Sequence, residues 1–196
     1  MEEKMSENAG RPEKPSTIEI ATFAGGCFWC MQPPFDNVPG VIETKVGYTG
    51  GEKKNPSYEQ VCTGKTGHAE AVEVHFDPEV VDYRKLLEVF WRNIDPTTEN
   101  RQFADRGSQY RTAIFYHNDN QKRLAEQSKR ALAESGMFDA PIVTEIVSAG
   151  PFYEAEEYHQ NYYQKQPGRY KSYKIGSGRA GFLEKTHARI REQQVK

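Results

Sequence analysis

Residues 25–30, with the sequence Gly-Gly-Cys-Phe-Trp-Cys, constrain the fold of this chain more than any other segment. They follow an apolar stretch typical of a strand and precede a stretch that predicts a helix from Phe28. The two glycines let the backbone turn sharply at this junction. Cys27 is therefore expected at a helix start, where the helix dipole and unpaired N–H groups favour thiolate over thiol. Cys30 follows one turn later, on the same face and within disulfide reach.

Two cysteines at this spacing are typical of a redox pair, of half a zinc site or of two buried thiols. A structural zinc site needs four ligands, and only Cys62 and His68 are available to complete one. The aromatic residues between the thiols favour an apolar pocket beside a nucleophile. The segment also differs from a phosphate-binding loop, because the longer glycine pattern and the Lys-Ser/Thr pair are missing.

Length and composition predict a single domain that binds neither nucleic acid nor an anionic membrane. The chain has 196 residues, a formal net charge of −2 and 36% hydrophobic residues. No apolar run approaches the ~20 residues that span a bilayer. Three cysteines without a secretory signal predict a cytoplasmic protein. We expect a disordered leader at 1–16, one catalytic domain at 17–196 with a wrapping tail from about 164, and a monomer.

The hydrophobic pattern predicts an α+β fold. Helices are expected from residue 28, at 82–94 and at 119–135, with a short helix within 151–163 and one near 181–193. Residues 49–57 and 95–109 are predicted to be loops, and 58–67 to be irregular. Strands are predicted at 17–23, 41–48, 69–76, 110–117 and 142–148. This order favours a ferredoxin-like split β-α-β sandwich, with helices packed on a mixed, mostly antiparallel sheet.

Glu70 lies at the start of the clearest predicted strand. It shares parity with Val72, Val74 and Phe76, so its carboxyl is expected to point toward the apolar side. A carboxyl in such a setting resists ionisation and can donate a proton near neutral pH. The alternative is a glutamate at a strand end that curls back to water. His68 next to it is interpreted as a loop residue.

Residues 105–111 lead from a polar loop into another predicted strand. Asp105 is a candidate to orient a proton network, and Tyr110 to reach a substrate oxygen; the alternative is an ordinary turn. Cys62 is interpreted as a small buried thiol, with a spare resolving thiol as the alternative. The aromatic stretch 152–163 is interpreted as a pocket wall.

Taken together, these segments resemble the A-type peptide methionine sulfoxide reductases. The resemblance rests on residues 25–30, 55–74, 105–116 and 152–163, which occur in the family's order and span most of the chain from 17 to 163. It implies a ferredoxin-like fold and the reduction of the S epimer of methionine sulfoxide, free or in proteins. Thioredoxin is the implied electron donor, and no metal or organic cofactor is implied.

The resemblance also implies a role for each matching residue. Cys27 would attack the sulfoxide sulfur and become a sulfenic acid. Glu70 would be the acid that protonates the oxygen. The remaining implied roles are hydrogen bonds to that oxygen from Tyr58 and Tyr110, support of the site by Asp105, and an apolar pocket for the S-methyl group made by Phe28 and Trp29.

This chain departs from the commonest family pattern at the second cysteine. Many members have glycine where Cys30 stands and place resolving cysteines near the C-terminus, whereas no cysteine follows Cys62 here. We therefore assign Cys30 as the thiol that forms a disulfide with Cys27, which thioredoxin then reduces, and keep Cys62 as the alternative. A competing function is thioredoxin-like disulfide exchange, which would require a cis-proline loop facing the cysteines, with Pro141 as the candidate.

Overall fold

The computed structural model describes residues 17–194, and the predicted leader at 1–16 lies outside the described residues. The helices are α1 (Phe28–Asp36), α2 (Tyr58–Cys62), α3 (Tyr83–Arg92), α4 (Asp119–Glu134), α5 (Tyr162–Lys165), α6 (Pro167–Gly176) and α7 (Arg179–Gln194). The strands are β1 (Glu19–Gly25), β2 (Val41–Thr49), β3 (Ala69–Phe76), β4 (Arg101–Gln102), β5 (Asp105–Arg106), β6 (Thr112–Tyr116), β7 (Glu145–Ser148) and β8 (Tyr153–Glu154). No helix within the described range is long and apolar enough to cross a membrane.

Six strands form one sheet in the order β7-β6-β1-β3-β2-β8, and β4 pairs with β5 in a separate ribbon. Neighbours in the large sheet are antiparallel, except that β6 and β7 run parallel. The four central strands, β6-β1-β3-β2, have the interleaved order of a split β-α-β sandwich. The predicted α+β, ferredoxin-like fold is therefore confirmed.

The main core lies between this sheet and the helices α1 and α3. Phe23 of β1 stacks between Phe35 of α1 and Phe90 of α3, with ring centroids 5.1 and 5.2 Å apart. Val72 and Val74 of β3 point into the same cluster. Burial of these side chains fixes the register of β1 against β3, because a slip of one residue would expose them all.

The structure differs from the sequence prediction mainly in short elements. Residues 58–62 form α2, where an irregular stretch was expected. In the predicted loop 95–109 the chain forms β4 and β5, and the predicted short-helix region 151–163 also contains β8. The tail has two helices, α6 and α7, in place of one, and Pro167 stands in the first turn of α6, a position that proline favours. The last predicted strand begins at Glu145, three residues later than expected.

Candidate active site

Cys27 lies at the junction where β1 ends and α1 begins, as its capping residue. Its side chain is 6% exposed. Burial raises the pKa of Cys27 well above its ordinary value, and the neighbouring Cys30 and Glu70 raise it further. In the resting protein burial thus outweighs the helix-start effect that the sequence suggested, and Cys27 is a thiol.

The two glycines before Cys27 are required by close packing. Gly26 has a φ of +79°, a conformation that disfavours residues with a side chain. A Cβ at Gly26 would collide with the side chain of Gln102, and one at Gly25 would collide with Met31. The sharp turn therefore brings Cys27 to the end of the sheet without displacing the structure behind it.

Cys30 follows one turn later, and its backbone N–H donates to the Cys27 carbonyl at 3.0 Å. The Cys27 thiol donates a hydrogen bond to the Cys30 sulfur, which lowers the pKa of Cys30. The positive charges of Arg179 and Lys174 lower it further. Cys30 is therefore the member of the pair that ionises first, while Cys27 keeps its proton.

Glu70 lies in β3, and its side chain is 2% exposed. Its Oε2 accepts a hydrogen bond from the backbone N–H of Phe28 at 3.1 Å, so the carboxyl sits beside the residue that follows Cys27. Burial raises the pKa of Glu70 to about 8, against the opposing effect of the Phe28 N–H, and the charge of Asp105 adds to the rise. Glu70 is thus a neutral acid near pH 7 and does not curl back to water.

Tyr58 and Tyr110 are two half-buried phenols near this carboxyl. Tyr58 begins α2, where its backbone N–H donates to Glu156 Oε1 at 2.8 Å. Glu156 Oε2 accepts from the Tyr48 hydroxyl at 2.8 Å. Burial raises the pKa of both Tyr58 and Tyr110 above the ordinary tyrosine range, and the charge of Glu70 contributes to each rise. Both hydroxyls therefore stay protonated and can donate hydrogen bonds.

The aromatic residues between the cysteines form an apolar wall. Phe28 is fully buried against Tyr48 and His159, with ring centroids at 5.9 and 5.1 Å. Trp29 stacks on Tyr162 with centroids 3.8 Å apart. Trp29 Nε1 also donates to His159 Nδ1 at 3.0 Å, which fixes the indole plane.

His159 is a contributor to the site that the sequence did not single out. It belongs to the aromatic stretch 152–163, which was interpreted only as a pocket wall. The side chain is 1% exposed, and burial lowers its pKa, so the ring is neutral and accepts from Trp29. The aromatic residues next to His159 were visible in the sequence, but its hydrogen-bond partner Trp29 lies 130 positions earlier in the chain.

The tail supplies two further residues that sequence reasoning missed. The Tyr173 hydroxyl of α6 donates to Asp105 Oδ2 and also hydrogen-bonds to the Cys27 sulfur. Arg179 at the start of α7 is 2% exposed and donates to the backbone oxygens of Gly25 and Asn93, each at 2.7 Å. In the sequence these residues stand in a basic, glycine-punctuated tail without a motif.

Cys62 and His68 do not complete a zinc site with Cys27 and Cys30. Cys62 is exposed at the end of α2, so the expectation of a buried thiol is wrong, and its sulfur accepts from the Tyr58 hydroxyl. His68 is buried and holds a loop through Gly51 N at 3.1 Å and Lys53 O at 2.7 Å. Between residues 17 and 194, no three His, Cys, Asp or Glu side chains are grouped to hold a metal ion.

Comparison with known proteins connects this geometry to one family. The family model described as peptide methionine sulfoxide reductase matches residues 19–191. The chain belongs to this family. Two similar relatives named peptide methionine sulfoxide reductase MsrA come from Bacillus subtilis and Bacillus licheniformis. The first is 64% identical over 165 residues, covering 84% of this chain and 93% of the relative. The second is 60% identical over 176 residues, covering 90% and 97%.

Solved structures of the family have the same fold. Reduced Mxr1 from Saccharomyces cerevisiae superposes with a TM-score of 0.74 at 35% identity, covering 79% of this chain and 89% of that one. Methionine sulfoxide reductase A of Corynebacterium diphtheriae gives 0.69 at 37% identity, covering 81% and 77%. Mxr1 has also been solved in complex with Trx2; that chain is 26% identical, with a TM-score of 0.54 over 76% of this chain and 87% of that one.

Proposed function

We propose that this protein reduces the S epimer of methionine sulfoxide, free or within proteins, to methionine. The observation that carries the proposal is the buried, neutral carboxyl of Glu70, hydrogen-bonded to the residue after Cys27. A thiol that only exchanges disulfides needs no such acid, whereas a sulfoxide needs its oxygen protonated. Membership in the reductase family supports the same reaction.

The reaction follows from the weakness of oxide as a leaving group. Glu70 gives its proton to the sulfoxide oxygen, and Tyr58 and Tyr110 donate hydrogen bonds to it. The Cys27 thiolate then attacks the electrophilic sulfur, while Phe28 and Trp29 enclose the S-methyl group. Collapse releases methionine and leaves Cys27 as a sulfenic acid.

Recycling uses the second thiol and an external reductant. Cys30 condenses with the Cys27 sulfenic acid, water leaves, and thioredoxin reduces the resulting disulfide. The lowered pKa of Cys30 supports this role, because the thiolate is the attacking form. The complex of Mxr1 with Trx2 supports thioredoxin as the partner. Because thioredoxin keeps cytosolic thiols reduced, we place this three-thiol protein in the cytoplasm.

Replacement of the nucleophile tests the reaction itself. We expect Cys27→Ser to form no methionine from methionine S-sulfoxide with either dithiothreitol or thioredoxin as reductant. Cys62→Ser is the matched control, since it removes an exposed thiol and leaves the pair intact. Methionine formation by Cys27→Ser at more than a few per cent of the wild-type rate would refute the proposal.

Replacement of Cys30 tests the recycling step separately. We expect Cys30→Ser to release about one equivalent of methionine and then to stop when thioredoxin is the only reductant. Intact-mass measurement after one turnover should find the protein heavier by one oxygen atom, as expected for a sulfenic acid at Cys27. If Cys30→Ser recycles normally and Cys62→Ser does not, Cys62 is the resolving thiol.

The structure gives little support to the alternative of a thioredoxin-like exchanger. Pro141, the candidate for its proline loop, lies in a surface depression lined by α4 side chains such as Glu126 and Lys129, together with Ile146 of β7. Insulin reduction without sulfoxide turnover would favour that alternative.

A further inference from the structure

The proposed reaction brings Tyr58 and Tyr110 to one oxygen atom, although the two phenols belong to different short elements. Tyr58 begins α2, which has five residues, and Tyr110 ends a 3-10 turn, Ser108–Tyr110, that precedes β6. Each hydroxyl must lie about 3 Å from the sulfoxide oxygen to donate a hydrogen bond to it. The turn and the helix must therefore be held in a fixed arrangement.

Gln109, the residue before Tyr110, connects the turn to the helix. Its Nε2 donates a hydrogen bond to the Cys62 carbonyl at 3.2 Å. Cys62 is the last residue of α2, and the last carbonyls of a helix have no partner within that helix. The Gln109 amide therefore satisfies the end of the helix that Tyr58 begins, and it does so from the turn that carries Tyr110.

Two neighbouring contacts join the same two segments. Ser108 Oγ donates to the Gly64 carbonyl at 3.4 Å, and Arg111 Nη2 donates to the Gly67 carbonyl at 3.1 Å. Together with the Gln109 bond, they attach the turn to the chain segment between α2 and β3, the strand that carries the proposed acid. Of the three side chains, only Gln109 bonds to α2 itself, so it has the most direct effect on the distance between the two phenols.

The amide of Gln109 fits closely between the two segments that it joins. The side chain is 5% exposed. Gly107 and Gly64 adopt φ values of +127° and +70°; a Cβ at Gly107 would collide with the amide, and one at Gly64 would lie 3.3 Å from its Oε1. Within residues 17–194, Oε1 has no hydrogen-bond partner. A buried acceptor without a donor lowers stability, so stability alone does not favour glutamine over an apolar side chain of the same length.

We propose that Gln109 is a positioning residue that holds Tyr110 in place relative to Tyr58, so that both hydroxyls meet the sulfoxide oxygen. This role rests on the proposed function. Gln109 forms and breaks no bond with the substrate and acts only through the two phenols. Donors that are already in place need no rearrangement when charge develops on the oxygen. Without the amide, the turn and α2 move independently, and both donors are less often in place together.

The test measures the release of one equivalent of methionine by the full chain, without reductant, over a range of methionine S-sulfoxide concentrations. Gln109→Met keeps the length of the side chain and removes the amide. We expect the rate constant at saturation to fall about tenfold and the half-saturating concentration to change less than about twofold, because the pocket of Phe28 and Trp29 is untouched. The matched control is Gln121→Met, which removes an Nε2 bond to the Ile20 carbonyl at 2.8 Å, near the start of β1 and away from the site. It should release methionine at the wild-type rate.

A merely structural role for Gln109 would persist in the absence of the phenols. The double variant Tyr58→Phe with Tyr110→Phe lacks both hydroxyls, so adding Gln109→Met to it should slow the release less than about twofold. A further tenfold loss in that variant would overturn the proposal, and so would a wild-type rate in Gln109→Met alone. If Gln109→Met does not fold, Gln109→Ala replaces it with the same expectations.

Hydrogen exchange distinguishes a failure of this role from a failure of the proposed reaction, because it needs no substrate. Gln109→Met should speed the exchange of the backbone amides of residues 58–67 several-fold, whereas Gln121→Met should leave it unchanged. Unchanged exchange in Gln109→Met would overturn the positioning role whatever the activity. Faster exchange in a protein whose wild type releases no methionine would instead refute the proposed function, and the role of Gln109 in it would fall with it.

Discussion

At the scale of single residues, the site depends on what burial does to each titratable group. The same desolvation that keeps Glu70 protonated also keeps Cys27 protonated, so in the proposed reaction one effect supplies the acid and withholds the nucleophile. The sequence predicted the first consequence, because the parity of Glu70 with Val72 was visible. It could not predict the second, since the burial of Cys27 follows from the packing of the whole fold, for which no local sequence pattern gives a signal.

The pKa of Glu70 should appear in the pH dependence of the reaction, and replacement of Glu70 should slow it. We expect wild-type methionine release in a single turnover to fall as pH rises through about 8, where Glu70 loses its proton. Glu70→Gln should be slower by about 100-fold or more at pH 7, the range of general acid catalysis. Single-turnover rates from pH 6 to 9 check this, and a wild-type rate that stays level to pH 9 would contradict it.

The same substitution should stabilise the fold at alkaline pH. The folded pKa of Glu70, about 8, exceeds the ordinary value of 4.5, so the folded state binds more protons and loses stability as pH rises between these values. Glu70→Gln has no such loss. The Tm of Glu70→Gln minus that of wild type should therefore increase by several degrees as pH rises from 5 to 9, given about 2–4 °C per kcal/mol for a chain of this size. A constant Tm difference across that range would show that Glu70 is not held neutral.

At the scale of elements, α2 places Tyr58 by means of a short capping motif. Ser57 Oγ accepts from Gln60 N at 3.4 Å, and Gln60 Oε1 accepts from Ser57 N at 3.1 Å. This capping box, with serine three residues before glutamine, is readable in the sequence, yet residues 58–67 were predicted to be irregular. A helix of five residues carries too little periodicity for a hydrophobic pattern to reveal it.

Loss of this cap should affect the reaction through Tyr58. Ser57→Ala should destabilise α2 by about 1 kcal/mol and lower kcat/KM several-fold, because Tyr58 is then held less firmly beside the sulfoxide oxygen. Ser57→Asp, which can still cap the helix, should restore most of the loss. If Ser57→Ala matches wild type in steady-state assays, α2 does not need its cap to position the phenol.

At the scale of the whole molecule, the site is assembled from residues far apart in the chain. The four central strands and their helices followed from alternation and amphipathic spacing, which are local signals. The tail contacts are different in kind, since Arg179 reaches Gly25 across 154 positions by hydrogen bonds to backbone oxygens. Backbone acceptors exist at every residue, so no sequence pattern indicates which of them a buried arginine will use.

Removal of this guanidinium should release the tail. Arg179→Met removes the donor to the buried carbonyl oxygen of Gly25 and to the partly buried one of Asn93, which we expect to cost about 2–4 kcal/mol and to loosen α6 and α7. Thermal unfolding and the rate of trypsin cleavage at Lys171 or Lys174 measure the effect. Arg189→Met, on the exposed face of α7, is the control and should behave as wild type. Equal protease resistance of the two variants would contradict a tail held by Arg179.

The burial of Cys27 also matters in the oxidising surroundings in which such a protein acts. Methionine sulfoxide arises where oxidants such as peroxide are present, and peroxide consumes exposed thiolates. Cys27 rests as a thiol that is 6% exposed, whereas Cys62 faces solvent. The protein can therefore persist among the oxidants whose damage it repairs, because the thiol they meet first is one that the proposed cycle does not use.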